Sequence, residues 1–333
     1  MDDVAAATPR LVCASPAQFQ GVLIEFAGRI LGVLAYSAAA PADLAGFEAP
    51  YVWVRLPVLA EDACWYEVWV SSVPVTTGKK SGLSFASNGK LLFGSLVMDE
   101  ADRSRIEQMA QAAYTAIFDV LDHTGYPELL RLWNYFPDIN GSGCKMERYR
   151  EFNVGRHNAF GSEGRPIGDG LVPAACALGT RQGPLVACFL AGRVRGVCLE
   201  NPRQTTAYRY PEEYGPRSPT FSRGMLVGGV LLVSGTASIV GSRTMHPGDV
   251  LRQLDETLEN LRLVISQARS GGFSGASAAG LCLNVYLRRA EDRTVVCGRI
   301  ETEYAGAHVV YFQADVCRSD LLVEIEAFWM SHP

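Results

Sequence analysis

Several familiar signatures are missing from this 333-residue sequence, and each absence excludes a class of protein. Basic residues do not outnumber acidic ones, and the net charge of −5 argues against a nucleic-acid binder, which normally presents a basic face. The longest apolar run, "MLVGGVLLV", is far shorter than a membrane span. The N-terminal "MDDVAAATPR" lacks the apolar core of a signal peptide. We therefore predict a cytoplasmic protein with no nucleic-acid partner and no membrane partner.

Motifs for metals, nucleotides and nucleophilic triads are also missing. The nine cysteines include no CxxC pair and are odd in number, which argues against a disulfide framework and a structural zinc site. There is no GxGxxG after a strand, no Walker loop, no HExxH and no GxSxG. The five histidines show no ligand spacing. They are His123, His157, His246, His308 and His332.

Lysine is scarce, because only 4 of the 30 basic residues are lysines. Arginine is the better partner for carboxylates, since its planar fork binds them bidentately. One arginine cluster is "RYREFNVGR", which is equally compatible with a solvated helix face. A second lies in the Pro-, Tyr- and Arg-rich segment 201–224, where Tyr208, Tyr210 and Tyr214 alternate with arginines. This mixture suits an ordered loop that holds an unsaturated, anionic small molecule.

The order of predicted elements repeats once along the chain. Apolar residues at three- and four-residue spacing predict amphipathic helices over 101–125, with Gly125 as its stop, and over 246–272. Strand-like runs precede each helix, and in the first copy these are "YEVWVSSVPV" and "KLLFGSLVM". A strand, a helix and two more strands follow each of the two helices. Segment 201–224 joins the copies. The pattern predicts an α+β fold of two related units, each a mixed sheet with helices packed on one face.

The last predicted strand carries two acids in an apolar run, "LLVEIEAFW". Because side chains alternate along a strand, Glu324 and Glu326 share one face. Sliding the copies together puts Ala187 under Glu324 and Phe189 under Glu326. The first copy thus has no acids here, so folding of the sheet does not require them. The simplest interpretation, exposed sheet positions, stays open at this point.

Residues 215–329 resemble the RidA/YjgF family. The shared features are the turn "GPRS", the turn "SGTAS", a helix that begins at "GD" and the last strand "VEIEA". In that family the first glutamate of this strand, Glu324 here, lines a cleft for small carboxylate-bearing compounds. The family's arginine before the last strand has no counterpart, because "HVVYFQADV" contains none. The resemblance implies two RidA/YjgF-like, chorismate-mutase-like units, over residues 1–205 and 206–333.

Nearly the whole chain resembles the chorismatase family. The motifs are "LWNYFPDIN", "ERYREFNVGRHNAF", "AYRYPEEYGPRSPTFSR", "SGTASIVG" and "ADVCRSDLLVEIEA". The resemblance implies cleavage of chorismate with release of pyruvate, without a metal or organic cofactor. Aromatising members tend to have a glycine in the SGTAS turn and a cysteine before the last strand, here Gly235 and Cys317. We therefore expect 3-hydroxybenzoate as product, with 4-hydroxybenzoate as a further option.

The family match assigns roles to particular residues. We expect Glu324 to be a buried, protonated acid that transfers its proton to the enolpyruvyl methylene carbon. Gly235 would let the ring settle so that its own C4 hydroxyl displaces pyruvate, through an arene-oxide-like intermediate. Cys317 would shape the pocket or assist a proton transfer. Candidates for binding the two carboxylates and the ring are Arg148, Arg156, Tyr208, Tyr214 and Arg217.

Three other interpretations stay open. The enzyme could be a hydrolytic chorismatase that forms a dihydroxycyclohexadiene carboxylate. It could be a RidA-like imine or enamine hydrolase. It could also be a catalytically silent metabolite-binding protein. RidA proteins are trimers with clefts between subunits, so a duplicated chain could supply two of three units and be a monomer or a small homo-oligomer.

Overall fold

Three β-sheets enclose one common hydrophobic core in the computed structural model, which describes residues 9–41, 46–100, 105–275 and 278–330. Helices cover the outer face of each sheet and form a separate apolar layer with it. This mixture of sheets and helices confirms the predicted α+β class. Within the described ranges, no helix combines the length and apolarity that crossing a bilayer requires.

The second and third sheets have six strands each and the same topology. The strands of the second are β5 Thr76–Lys80, β6 Leu83–Ser87, β7 Leu91–Met98, β8 Glu128–Pro137, β9 Ala174–Thr180 and β10 Leu185–Gly192. Those of the third are β11 Val197–Leu199, β12 Gly224–Val227, β13 Val230–Ala237, β16 Leu281–Leu287, β17 His308–Gln313 and β18 Val323–Met330. The orders β5-β6-β7-β10-β8-β9 and β11-β12-β13-β18-β16-β17 correspond strand for strand. Among the described strands, each sheet has one parallel pair at the same place, β8 with β9 and β16 with β17. The predicted duplication is confirmed within the described residues.

Two helices cover each of these sheets. They are α2 Ile106–Thr124, α3 Arg148–Ser162, α4 Val250–Ser270 and α5 Arg293–Glu303. The predicted stop of α2 is confirmed, because Gly125 adopts a left-handed φ of 72° and its N–H donates to the carbonyl of Leu121. Helix α4 begins after Asp249, whose side chain accepts from the Arg252 N–H at 3.0 Å. Residues 101–104 of the predicted first helix lie outside the described residues.

Helix α3 approaches α2 very closely at Gly155. A Cβ at this position would collide with the backbone carbonyl of Glu107. The missing side chain therefore allows the two helices to touch through their backbones. This packing positions the N-terminal turn of α3, which carries residues of the site described below.

A shorter first unit precedes the duplicated pair, which forms the second and third units, and it was not predicted from the sequence. It consists of β1 Arg10–Ala14, α1 Pro16–Glu25, β2 Ile30–Ser37, β3 Tyr51–Val54 and β4 Cys64–Val70. Its order, β1-β4-β2-β3 with β2 parallel to β3, repeats the β13-β18-β16-β17 part of the third sheet. The run "YEVWVSSVPV" was therefore assigned wrongly to the second sheet's unit, because its first residues form β4. The helix of this unit has only ten residues, so its periodicity is a weak signal.

Residues 1–205 consequently contain two sheets rather than one, and β11 of the third sheet also lies before residue 206. The division into domains 1–205 and 206–333 stays a prediction. The three sheets meet around the common core, to which each contributes one tyrosine from the corresponding strand. These are Tyr36 of β2, Tyr135 of β8 and Tyr286 of β16. The chain thus builds a threefold arrangement from unequal units.

Strand β18 has the two faces that its sequence predicts. Val323, Ile325 and Ala327 pack under α4 and α5, whereas the opposite face carries the two glutamates and faces the common core. The alignment of the copies was wrong by one residue, because Ala187 and Phe189 of β10 point to the helices. The inner face of β10 instead carries Val186 and Cys188. The conclusion is unchanged, since the corresponding strand of the second sheet has no acids.

Candidate active site

A cavity of about 540 Å³, the Glu324 cavity, lies between the second and third units. Its walls come from the start of α3, segment 201–224, strand β13 and the loop before β18. A small two-stranded sheet, β14 Ile239–Val240 and β15 Arg243–Thr244, adds residues at one side. The predicted role of segment 201–224 as more than a linker agrees with this position.

Glu324 lies at the cavity with only 3% of its surface exposed. Its carboxyl accepts no hydrogen bond from any residue that the structure describes. Burial and, secondly, the carboxylate of Glu326 together raise the pKa of Glu324 to about 8, against the opposing effect of Arg131 and Arg223. At neutral pH Glu324 is therefore a protonated acid whose proton has no acceptor among the described residues. Such a group is suited to donate a proton to a bound molecule.

Gly235 makes room for the Glu324 side chain. The ladder between β13 and β18 shifts register between Val233 and Thr236, which is a bulge beside the cavity. A Cβ at Gly235 would overlap the Glu324 carboxyl, with only 2.7 Å to its Cδ atom. The glycine and the acid are thus sterically coupled.

Cys317 and Tyr149 border the acid on the other side. Both line the cavity and a small recess beneath it together with Glu324. Burial raises the pKa of Cys317 to about 12, with a further contribution from Glu324, so its thiol is uncharged at neutral pH. Burial likewise raises the pKa of Tyr149. Neither group adds a charge to the site.

Arginines dominate the charge of the cavity. Arg223 donates to the Tyr210 hydroxyl at 2.8 Å and to the Thr205 carbonyl at 2.9 Å. The guanidinium of Arg318 lies 4.1 Å from the ring centroid of Tyr214 and donates to the Ser242 carbonyl at 2.8 Å. Its Nη2 atom is buried and has no hydrogen-bond partner among the described residues. Arg150 and Arg243 also line the cavity.

Arg156 reaches the small recess below the cavity, beside Cys317 and Glu324. It is buried, it donates to the Asn153 side chain at 2.7 Å, and its Nε atom has no partner in the described part of the chain. Arg156 and Tyr214 are therefore the substrate-binding candidates that the structure brings to the predicted site. Glu324, Cys317 and Gly235 lie there too.

The structure does not bring the other three candidates to the cavity. The buried guanidinium of Arg148 binds both carboxylate oxygens of Glu100 at 2.7 Å and the Pro137 carbonyl at 3.1 Å, so it has a structural partner. Tyr208 donates to Asp169 at 2.5 Å at the protein surface. Arg217 is exposed and is not among the residues that line the cavity.

Sequence analysis missed several residues of the site. Arg318 follows Cys317 directly, so its position beside the predicted cysteine was a usable signal. Arg223 and Tyr210 belong to the aromatic segment 201–224 but were not selected. Among the described residues, no group of three or more His, Cys, Asp or Glu could hold a metal ion. His332 lies outside those residues.

Comparisons with known proteins find relatives over most of the chain. A family model described as "Chorismatase FkbO/Hyg5-like, N-terminal" matches residues 67–191. A 3-hydroxybenzoate synthase of Streptomyces hygroscopicus is 37% identical over 317 residues, which cover 90% of this chain and 92% of the relative. A chorismatase of Streptomyces rapamycinicus is 38% identical over 282 residues, 80% of this chain and 82% of the relative. A crystal structure of a chorismatase superposes with a TM-score of 0.86 at 33% identity, covering 97% of this chain and 98% of that chain.

The buried acid and the arginine-rich cavity lie on a fold that superposes with a chorismatase over nearly the whole chain. The identity and coverage of the relatives are specific enough to name the group: this chain belongs to the chorismatase family. The predicted family resemblance is confirmed.

Proposed function

We propose that this enzyme converts chorismate into 3-hydroxybenzoate and pyruvate. The observation that carries the proposal is the protonated Glu324 carboxyl, which is buried at an arginine-rich cavity and has no acceptor in the described part of the chain. The 3-hydroxybenzoate synthase relative, aligned over 90% of the chain, supports this choice of product. Formation of 4-hydroxybenzoate as a minor product is compatible with the same site.

Chorismate is a dianion with one carboxylate on the ring and one on the enolpyruvyl group. Arg318 and Arg156 each have a buried guanidinium nitrogen without a partner among the described residues. Such nitrogens gain a charge-assisted hydrogen bond when a carboxylate enters. We assign these two arginines to the substrate carboxylates, with Arg223 and Arg243 adding positive charge, whereas Arg150 is paired with Glu147. Tyr214 and Phe221 offer ring faces to the unsaturated ring of the substrate.

Glu324 acts as the general acid in this mechanism. Its proton is transferred to the methylene carbon of the enol ether, which turns the side chain into an oxocarbenium ion and makes pyruvate a good leaving group. The C4 hydroxyl of the ring then displaces pyruvate from C3, and opening of the resulting arene oxide gives the hydroxybenzoate. Together the two products contain the atoms of chorismate, so the reaction consumes no water. Cys317 shapes the wall beside the acid or assists a proton transfer.

The experiment that tests this function is incubation of the protein with chorismate. The expected products are 3-hydroxybenzoate, separated by chromatography, and pyruvate in equal amount. Glu324→Gln keeps the shape of the acid but has no transferable proton, so pyruvate release should fall by at least ~100-fold. Near-normal turnover by Glu324→Gln would sink the assignment.

The alternatives differ in their products. A hydrolytic chorismatase releases pyruvate with a dihydroxycyclohexadiene carboxylate. A RidA-like hydrolase acts on imines or enamines and leaves chorismate intact, and a silent binding protein gives no product at all.

Since three sheets already complete the threefold core within one chain, we expect a monomer. We also expect the enzyme to act in the cytoplasm.

A further inference from the structure

A cluster of buried polar side chains fills the centre of the fold, where the three sheets meet. Glu67 of β4, Arg131 of β8 and Glu326 of β18 all have no exposed surface. The guanidinium of Arg131 forms an ion pair with Glu326 and donates to the Val233 carbonyl at 3.2 Å. The partners of the ion pair are 195 residues apart in sequence and belong to different sheets. The reaction proposed above makes no use of this pair.

The Glu326 carboxylate is held from several directions. Besides Arg131, it accepts hydrogen bonds from Tyr286 and, at 3.3 Å, from Asn284. Asn284 also donates to Glu67, and Glu67 accepts from Tyr36 at 3.2 Å. Burying a charged pair costs free energy unless these additional bonds compensate it. The Glu326 carboxylate is therefore fixed in position by donors from two different sheets.

The fixed charge lies directly next to the acid. Glu326 and Glu324 are two residues apart on the same face of β18, and Tyr286, which donates to Glu326, is the partner of Glu324 across the ladder. The other charged groups that act on Glu324 are Arg131 from β8 and Arg223 from segment 201–224, and Arg156 of α3 lines the recess beside it. Its uncharged titratable neighbours are Cys317, Tyr149 and Cys176.

We propose that Glu326 and Arg131 are positioning residues for the reaction: the ion pair fixes a carboxylate beside Glu324, and this carboxylate keeps the acid in its protonated form before the substrate binds. A negative neighbour penalises ionisation of Glu324, in the same direction as burial. Arg131 opposes this effect less strongly than Glu326 produces it. Arg131 holds the carboxylate in place and is not itself the source of the effect. The inference rests on the proposed function of Glu324.

The experiment compares pH profiles of kcat/KM for chorismate in the wild type, Glu326→Gln and the double variant Arg131→Gln/Glu326→Gln. The alkaline limb of this profile reports the acid of the free enzyme. In Glu326→Gln the limb should move to lower pH by about one unit, because one like charge is lost. The double variant leaves no unpaired buried charge, so it is the safer one to fold. Its limb should move in the same direction by a smaller amount.

Glu67→Gln is the matched control, because Glu67 is equally buried in the cluster but lies on another strand and does not act on Glu324. The alkaline limb of Glu67→Gln should lie at the same pH as that of the wild type. If the alkaline limb stays at the same pH in both charge variants while kcat falls, the ion pair of Arg131 and Glu326 has only a structural role. That result would overturn the proposal. An equal movement in Glu67→Gln would overturn it as well.

A second measurement separates failure of this inference from failure of the proposed function. The infrared carboxylic-acid band that Glu324→Gln removes reports protonation of Glu324 without any turnover. Its titration midpoint should move to lower pH in Glu326→Gln by the same amount as the kinetic limb. If the wild type does not cleave chorismate, the proposed function fails, and the band still decides the relation between the two glutamates.

Discussion

Gly235 and Glu324 act as a pair, since the Cβ of any other residue at 235 would overlap the carboxyl of the acid. Gly235→Ala should displace this carboxyl, slow pyruvate release and move the product from 3-hydroxybenzoate toward the dihydroxycyclohexadiene carboxylate. Chromatography of the products after incubation with chorismate measures both effects. Gly298→Ala is the matched control, because a Cβ at Gly298 meets nothing within 4 Å. An unchanged product profile in Gly235→Ala would refute the coupling.

Structure and sequence favour different arginines for substrate binding. The structure favours Arg318, whereas the sequence favoured Arg217. Arg318→Gln removes a buried guanidinium of the cavity, so the KM for chorismate should rise by roughly 10–100-fold, the typical value of one or two hydrogen bonds to a charged group. Arg217→Gln changes an exposed arginine outside the cavity lining and should leave the KM within about twofold. Steady-state kinetics decide between them, and a larger effect at Arg217 would restore the original candidate.

At the scale of elements, the contact between α2 and α3 depends on a single glycine. Gly155→Ala places a methyl group against the Glu107 carbonyl, which is backbone and does not move aside easily. The free energy of unfolding should decrease by about 1–3 kcal/mol. Denaturant unfolding measures this loss. Gly161→Ala in the same helix meets nothing within 4 Å and should be neutral or slightly stabilising, so equal losses in both variants would contradict the close contact.

Elements with long periodic patterns were the ones that the sequence predicted well. Helices α2 and α4 have 19 and 21 residues, enough for an amphipathic stripe to stand out. Helix α1 and its sheet were missed because four short strands and one short helix show no comparable period. Alternation along β18 predicted correctly that its two acids share a face.

At the scale of the whole molecule, the three sheets share one buried polar centre, and this couples stability to pH. Burial raises the pKa of Glu67 to about 8, with Glu326 as the second cause. A carboxyl whose pKa is raised on folding binds more protons in the folded state, so stability falls as pH rises from about 4.5 to about 8. The same direction holds for Glu324.

Glu67→Gln should therefore reduce this decline by on the order of a few kcal/mol, because glutamine stays neutral throughout. Denaturant unfolding at pH 5 and pH 9 measures the difference for each protein. Glu61→Gln changes an exposed acid and is the control. A wild type and a Glu67→Gln variant with parallel pH dependence would show that Glu67 is not held in its protonated form.

The sequence by itself determined the α+β class, the duplicated unit of a mixed sheet with two helices, the two faces of β18 and the chorismatase family. All of these depend on local periodicity or on contiguous motifs. Only the tertiary structure decided which arginines line the cavity. Arg148 is bound to Glu100, 48 residues away, whereas Arg318 and Arg223 reach the site from separate loops. It also decided the existence of the four-stranded first sheet and the pairing of Arg131 with Glu326 across 195 residues. A charged side chain carries no local signal of its partner, since that partner is set by how distant strands meet.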